Sequence, residues 1–485
     1  ALQSNVTGQG NTAVGNNALE DNTGHSNTAV GNRALYENTS GRDNTAVGNN
    51  CLTNVTTGNY QTAVGSYALH DNTSGDQCVA VGYSALANNT SGSHNTAVGT
   101  YVMDSNTTGA KSTAMGYQAL SQNSTGANHA AIGYYALRQN TTGSRNTALG
   151  YQALYQNTTA GQNTAVGYDC MRDNQTSYSN TAIGHGALDT MTGGYFNNAF
   201  GVDCLRSLTT GVQNIGIGVN AGALITTGNH NITIGTSTGD AITTGNSNTL
   251  VGTYAGTSRT TASNMTALGY AAAHNSTTSD QCVAIGDNSQ YANQTGINNV
   301  TVGTNAGYSL TSSNNTIVGR YANMLLTTGD QTTSIGSNSG YHSTTGTYNI
   351  NLGSASPTNA TASFQITLGN TGHNNLRCND TSISSLSDRR DKTEIIDLPV
   401  GLNFLNTLKP RKFKWKTRDG NIKDNSYRAG FIAQELQESQ TGNNWLKLVL
   451  DDNPDRLEAN EGHLIPVLVK AIQELSAKVT ALEAA

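Results

Sequence analysis

Asn44-Thr45-Ala46-Val47-Gly48 is the stretch on which the fold turns, because the chain returns to it throughout most of its length. Asn11 to Gly15, Asn27 to Gly31 and Asn95 to Gly99 repeat it, and Gln365 to Gly369 closes the series. Taking the glycine as a marker gives 22 copies between Gly15 and Gly369, spaced by 17 residues and occasionally by 16. Self-similarity held at one short period predicts a stacked β-solenoid, in which each rung retraces the path of the one before it.

The columns of this repeat assign work to each position. The residue before the marker glycine is apolar in all 22 copies, from Val14, Val30 and Val47 through Met115 and Phe200 to Leu368. Two positions earlier stands Thr in 13 of the 22, as at Thr12, Thr28 and Thr45. Period-two alternation puts both columns on one face, and the apolar content predicts that this face points inward. Asn leads the motif in 14 of 22 copies, a placement suited to an amide ladder up the stack. The marker glycine supplies a backbone shape that a side chain would hinder. A second segment follows, as in Ala18-Leu19, Ala34-Leu35, Cys51-Leu52 and Ala68-Leu69, before turns closing at Gly41, Gly58, Gly75 and Gly109. Two short strands per rung with glycine-rich corners are expected. From about residue 218 the Leu gives way to Gly222, Gly239, Gly256 and Gly307, and the apolar residue moves on to Ile225, Ile242, Leu310 and Leu326. A change of cross-section is expected there.

Composition agrees with a repeat and excludes several classes. Charged residues are 12%, Gly is 54 and Pro only 5, a balance that would mean disorder if it were aperiodic. Residues 386–485 hold 15 of the 25 Lys and Arg and 15 of the 31 Asp and Glu, so the long N-terminal part is nearly uncharged and has Lys111 as its single lysine. A net charge of -6 without a basic stripe gives no footprint for nucleic acid. No apolar run approaches the ~20 residues that span a bilayer, so no membrane insertion is expected. The chain opens on Ala1, without a signal-like segment, as expected of a processed product or a piece of a longer protein. The six cysteines lack metal-type spacing and read as small buried apolar residues, with no metal or cofactor implied.

Each rung offers only two or three large apolar side chains, a thin core at ~25 cal/mol per Å² buried. Three chains sharing one dry interior would relieve that shortage, so a homotrimer is expected. At ~4.8 Å per rung the stack would run roughly 105 Å. The many Asn-x-Thr/Ser triplets, such as Asn5-Val6-Thr7 and Asn106-Thr107-Thr108, match glycosylation acceptors but are also what the turns demand. The Thr column would suit an ice-binding array only if it faced outward. Tyr117, Tyr134, Tyr135, Tyr151, Tyr155 and Tyr168 would serve either as a sugar-stacking strip or as cover for the rung edges. No carboxylate pair stands out as a glycosidase site.

The repeat fades through residues 371–386, a polar linker containing Cys378, and charge arrives at Ser387-Asp388-Arg389-Arg390-Asp391-Lys392. Thr393 to Gly401 leads toward a helix. Leu408 to Lys416 alternates like a half-buried strand, and Arg428 to Gln437 reads as a strand running into a helix. From His463 to Ala485, apolar residues at Leu464, Ile465, Val467, Leu468, Ala471, Ile472, Leu475, Val479 and Leu482 predict an amphipathic helix suited to a coiled coil or three-helix bundle.

The shaft columns resemble the head repeats of trimeric autotransporter adhesins and the fibre repeats of phages and algal viruses. The C-terminal motifs are more specific. Ser-Asp-x-Arg-x-Lys at 387–392, then Gly401-Leu402 through Leu408-Lys409-Pro410 to Phe413-Lys414-Trp415-Lys416, then Gly430-Phe431-Ile432-Ala433-Gln434-Glu435, then a terminal helix resemble the peptidase S74 family, the intramolecular chaperone of phage endosialidases and tail spikes. The resemblance implies domains at 1–370 (shaft), 371–386 (linker) and 387–485 (chaperone and single-turnover autoprotease, with its helix at 463–485). It implies that Ser387 is the nucleophile and Lys392 the general base, with Asp388 and Arg390 holding the motif. Lys392 would be desolvated, its pKa depressed with Arg390 nearby. Cleavage would open Leu386–Ser387 or the bond after the serine. It also implies a homotrimeric viral tail or head fibre, exposed on the virion, binding other virion components at its N-terminal end and a host-cell receptor, a glycan among the candidates. The alternatives are a trimeric bacterial surface adhesin, which would call for a membrane barrel where this chain has a helical tail, and a fibre with polysaccharide depolymerase activity.

Overall fold

The computed structural model describes residues 1–356, 360–370, 387–416, 422–451 and 457–484. The chain divides into two compact units, Ala1–His373 and Asn374–Ala485. In the first, 22 three-residue strands, β1 (Thr12–Val14) to β22 (Ile366–Leu368), each end just before a marker glycine. Each pairs in parallel with the next, motif residue on motif residue: Thr45 with Thr62, Ala46 with Ala63, Val47 with Val64. The chain is a β-solenoid of 17-residue rungs, as the periodicity predicts.

Two expectations about the rung need correction. Only one segment per rung is a strand. The Ala-Leu segment still bonds to the next rung, with Leu52 N–H donating to the Ala68 carbonyl at 3.0 Å. It is a turn rather than a strand because its Leu sits in the left-handed region, Leu35 at φ 52°, Leu52 at 49°, Leu120 at 55°. A left-handed non-glycine residue costs roughly 1–2 kcal/mol, here offset by complete burial of the Leu side chain. The second correction concerns the faces. Thr and the pre-glycine residue do share one, but it is the outer one: Val47 is 38% exposed and Met115 45%, whereas Ala46 and Ala114 between them are fully buried. Ala fits the rung interior at that position where the corner carries Leu, and larger residues, Leu250 and Ile317, enter the same column where the neighbouring corner is Gly. At Gly216, in the same column, an added Cβ would lie 2.9 Å from Leu205 Cγ.

Marker glycines have φ between 117° and 151° from Gly15 to Gly353. A Cβ at Gly65 would collide with the carbonyl oxygen of Gly82, so backbone is packed against backbone there.

The leading Asn column is buried and forms the expected ladder. Asn214 accepts from Asn231 N–H at 3.0 Å and from Asn231 Nδ2 at 3.1 Å, while its own Nδ2 donates to the Gly228 carbonyl at 2.8 Å. A second ladder, hidden in what reads as turn chemistry, runs from Asn72 through Asn89, Asn106, Asn123 and Asn140 to Asn157, with 2.7 Å amide bonds at each step. Asn106 is fully buried, so the Asn106-Thr107-Thr108 triplet is a structural device rather than an exposed acceptor. Cys51, Cys78, Cys170, Cys204 and Cys282 are free and buried, and burial pushes the Cys51, Cys170 and Cys204 thiols up to about 12. Cys378 lies outside the described residues.

The expected change of cross-section beyond residue 218 does not occur. Gly222 and Gly239 hold the same left-handed corner as Leu205, at φ 60°, 55° and 50°, and β13 (Ile215–Ile217) and β14 (Ile232–Ile234) pair in the same register. Volume is redistributed instead. A Cβ at Gly222 would meet Ile225 Cδ1 and Leu205 Cδ2, each at 2.8 Å, so Ile225 fills from the Asn-ladder column the space that Leu fills elsewhere.

Candidate self-cleavage site and its domain

Asp388 places the site. With φ -67° and ψ 138° it caps a single 3-10 turn, Arg389–Asp391, its carboxylate accepting from Arg390 N–H at 2.9 Å. Lys392 closes the turn, its N–H donating to the Arg389 carbonyl at 3.2 Å. One such turn brings residue 392 back beside residue 387, and the Lys392 ammonium Nζ donates to Ser387 Oγ. Arg390 is folded onto Asp388, Nε to Oδ1 at 3.1 Å and Nη2 to Oδ2 at 2.6 Å. That pair of bonds holds the Asp388 carboxyl below the usual carboxylate range, with the backbone bond adding to it.

All four residues are thus brought into one turn, with a different electrostatic arrangement from the expected one. Ser387 and Lys392 are exposed. Arg390's charge is met by Asp388, not directed at the lysine. In the single chain the Lys392 side chain is therefore solvated rather than desolvated as expected, since none of the described residues covers it. Leu386 lies outside the described residues, so the expected scissile bond has no geometry here. Among the described residues no cluster of His, Cys, Asp and Glu could hold a metal ion.

The rest of the unit folds around Phe404, Leu408, Leu436, Leu448, Leu464 and Val467. Helix α1 (Leu402–Leu405) begins after Gly401, which has no side chain to cap it; Glu474, on α3 (Leu464–Glu483), accepts from Leu402 N–H at 2.8 Å instead. Strand β23 (Arg411–Lys416) pairs antiparallel with β24 (Ile422–Gly430), which leads into α2 (Ala433–Ser439). The motif residues make this joint. Gly430 leaves room for the Phe413 ring, 3.3 Å from where a Cβ would stand, and Arg411 binds Glu435 with Nε to Oε2 at 2.9 Å. A pair of two-residue strands, β25 (Val449–Leu450) and β26 (Glu458–Ala459), completes the unit.

On α3, Leu464, Val467 and Ala471 are buried in the unit, whereas Ile465, Ile472 and Leu482 are 61%, 65% and 78% exposed. Leu468, Leu475 and Val479 are exposed too, so the apolar residues read from the sequence divide between two faces, and a heptad-spaced a/d series of them (Ile465, Leu468, Ile472, Leu475, Val479, Leu482) faces away from its own domain. Among the described residues no helix is long and apolar enough to cross a membrane.

Residues 387–443 match the family model of the peptidase S74 domain, the chaperone of endosialidase, and the match begins at Ser387 itself. No curated protein matches the chain. The chain therefore carries a chaperone-of-endosialidase domain behind a long β-solenoid shaft, an organisation consistent with a tail-fibre or tail-spike protein.

Proposed function

We propose that this is a homotrimeric viral fibre for host attachment, carried on the virion and joined to other virion components at its N-terminal end. Its C-terminal domain aligns three shafts and then cuts itself away at Ser387. The observation that carries the reading is the Lys392–Ser387 hydrogen bond at the first residue of the chaperone match. In the cleavage, Oγ attacks the Leu386 carbonyl and loses its proton to a neutral Lys392 amine. The Leu386–Ser387 C–N bond then breaks, the lysine returns the proton to the departing amine, and water hydrolyses the ester. Attack on the bond after the serine is the alternative.

Two exposed surfaces support assembly from copies of this chain. The outer Thr/Val face carries no Asp, Glu, Lys or Arg at either column in any rung, the charge depletion typical of an interface core. A second copy has the same rung spacing and so meets it position for position, which an unrelated surface would not do over many rungs. The second surface is the a/d stripe of α3. Its Ile and Val at a with Leu at d is a pattern that by itself favours two strands; the three-fold count comes from the S74 resemblance. Because Lys392 is solvated in one chain, cleavage should follow assembly, when neighbouring copies can exclude water from the turn.

Intact-mass spectrometry of wild type, Ser387→Ala and Lys392→Ala tests this. Wild type should release a fragment of about 100 residues, by the domain span above, while both variants stay whole. An uncleaved wild type ends the protease reading. The outward Thr column removes the objection to ice binding, but no rung has Thr at the second outward position, and an absence of thermal hysteresis is expected.

A further inference from the structure

Along part of the shaft the tyrosine faces are closed to a ligand. Tyr134, Tyr151, Tyr168 and His185 stack nearly parallel, with centroids 4.8–5.4 Å apart and planes within 8°, so each inner ring has both faces occupied by its neighbours. Tyr135 and Tyr155 flank Arg138, which donates to the Tyr155 hydroxyl at 2.9 Å. Along this stretch the tyrosines cover rung edges and offer no flat face to a sugar.

Between residues 254 and 308 rings meet at an angle, as Tyr67, Tyr83, Tyr101 and Tyr117 also do, but here the column between them has lost its tyrosine. Tyr254 and Tyr270 meet edge to face at 81°, and Tyr254 and His274 at 65°, so ring faces are released from the ladder. Tyr270 is 55% exposed, more than any other described shaft tyrosine. Opposite stand His274, Tyr291 and Tyr308 in a stack of their own, with centroids 4.9 and 5.0 Å apart. The floor between the two walls is Ala271, in the column where other rungs carry Tyr67, Tyr101, Tyr135 and Tyr321. The small residue opens a cavity of about 290 Å³, and Asn288 contributes an amide to its lining. His274 Nδ1 lies 2.9 Å from Asn275 Oδ1, which orients the ring.

We propose that this groove is a binding subsite for a neutral saccharide chain. The proposal deepens the attachment reading and rests on it. Released tyrosine faces suit the C–H-rich face of a pyranose, and an amide with phenol hydroxyls suits its ring oxygens and hydroxyls. No lining residue is Asp, Glu, Lys or Arg, and Asp287 follows Tyr270 in its column, so a polyanionic sugar finds no counter-charge. Rungs rise at ~4.8 Å, which places successive aromatic residues at about the length of one sugar unit in an extended chain.

The test is calorimetric titration of the full-length protein with maltohexaose, cellohexaose and chitohexaose, beside Tyr270→Ala, Tyr291→Ala and, as a control on the closed ladder, Tyr151→Ala. Binding of at least one hexasaccharide is expected, weakened about tenfold or more by either groove variant, as when a well-packed aromatic anchor is truncated, and unchanged by Tyr151→Ala. No binding by any hexasaccharide, or binding that survives both groove variants, overturns the proposal. Tetramethylammonium binding that needs Tyr270, with no saccharide binding, reassigns the groove to a cationic ligand and overturns it too. Fluorescently labelled protein on host cells separates the two readings: failure of wild type to bind cells defeats attachment, while cell binding that is intact in both groove variants defeats only this subsite.

Discussion

In the shaft a polar bond is made once and then repeated, whereas among the described residues of the C-terminal unit the polar bonds that join its elements are each made only once. Asn89 bonds to Asn72 as Asn106 bonds to Asn89 and Asn123 to Asn106. Glu474 with Leu402 N–H and Arg411 with Glu435 have no counterpart among the described residues of their unit. Repeated bonds stabilise a stack, yet they carry no information about which rung of one chain should face which rung of another, since a slip by one rung restores nearly every contact. Unique bonds carry that information. Arg259 is the shaft's clearest departure, a fully buried guanidinium in the second Asn column that donates to Asn248 Oδ1 at 3.0 Å and Ser276 Oγ at 3.0 Å. A fibre built largely of equivalent rungs therefore gains from an aligning domain, and loses nothing if that domain later departs.

The largest effect is expected at a marker glycine. Gly65→Val adds a side chain where φ is 135° and the Gly82 carbonyl already fills the space. A loss above ~4 kcal/mol is expected, seen as a failure to recover folded shaft, while the C-terminal unit still folds. A folded, fully stable Gly65→Val shaft would refute the close backbone stacking.

A smaller effect comes from the one histidine in the leading Asn column. His129 Nδ1 accepts from Asn146 N–H at 3.4 Å, and burial lowers its pKa from 6.5 to about 4. The unfolded chain takes up this proton between pH 6.5 and 4 and the folded chain does not, so stability falls as the pH drops through that window, by about 3 kcal/mol in all. Asp104, raised by burial to about 6, changes stability in the opposite sense over part of the same range. The informative quantity is therefore the difference from His129→Asn, which restores the column's usual residue. Denaturant midpoints at pH 7 and 4.5 should diverge for wild type relative to that variant, and parallel pH profiles would count against the buried neutral ring.

The smallest effect expected is at Glu474. Glu474→Ala removes a cap that no neighbouring residue repeats, a loss of about 1 kcal/mol to the C-terminal unit, read as a lower midpoint for that unit with the shaft transition unmoved. A drop in the shaft transition would mean that the two regions do not unfold independently.

What was legible in the sequence follows the same division. Period and register could be read at Asn44 to Gly48 because every rung repeats them. Alternation showed that Thr45 and Val47 share a face, but not which face, since Ala46 is apolar too and the space left beside the buried corner Leu decides that Ala goes inside. The turn at Leu52 was hidden because leucine rarely takes a left-handed conformation, and its burial is what holds it there. The second Asn ladder was hidden because Asn also belongs in turns. At the C-terminus the strand at Phe413 and the helix from Leu464 were readable from alternation and heptad spacing. Ser387 and Lys392 stood out through motif resemblance, since a serine and lysine five residues apart carry little meaning alone; their solvation in the single chain was not readable, because it depends on what covers the turn.

The claim on which the account rests is that the outer Val face and the α3 stripe are covered by two further copies of this chain. Native mass spectrometry of the uncleavable Ser387→Ala protein measures it directly. Three times the 50.5 kDa chain mass is predicted, falling to a single chain when Ile472 and Leu475 are both changed to Asp. A Ser387→Ala protein that flies as one chain, or as two, contradicts it.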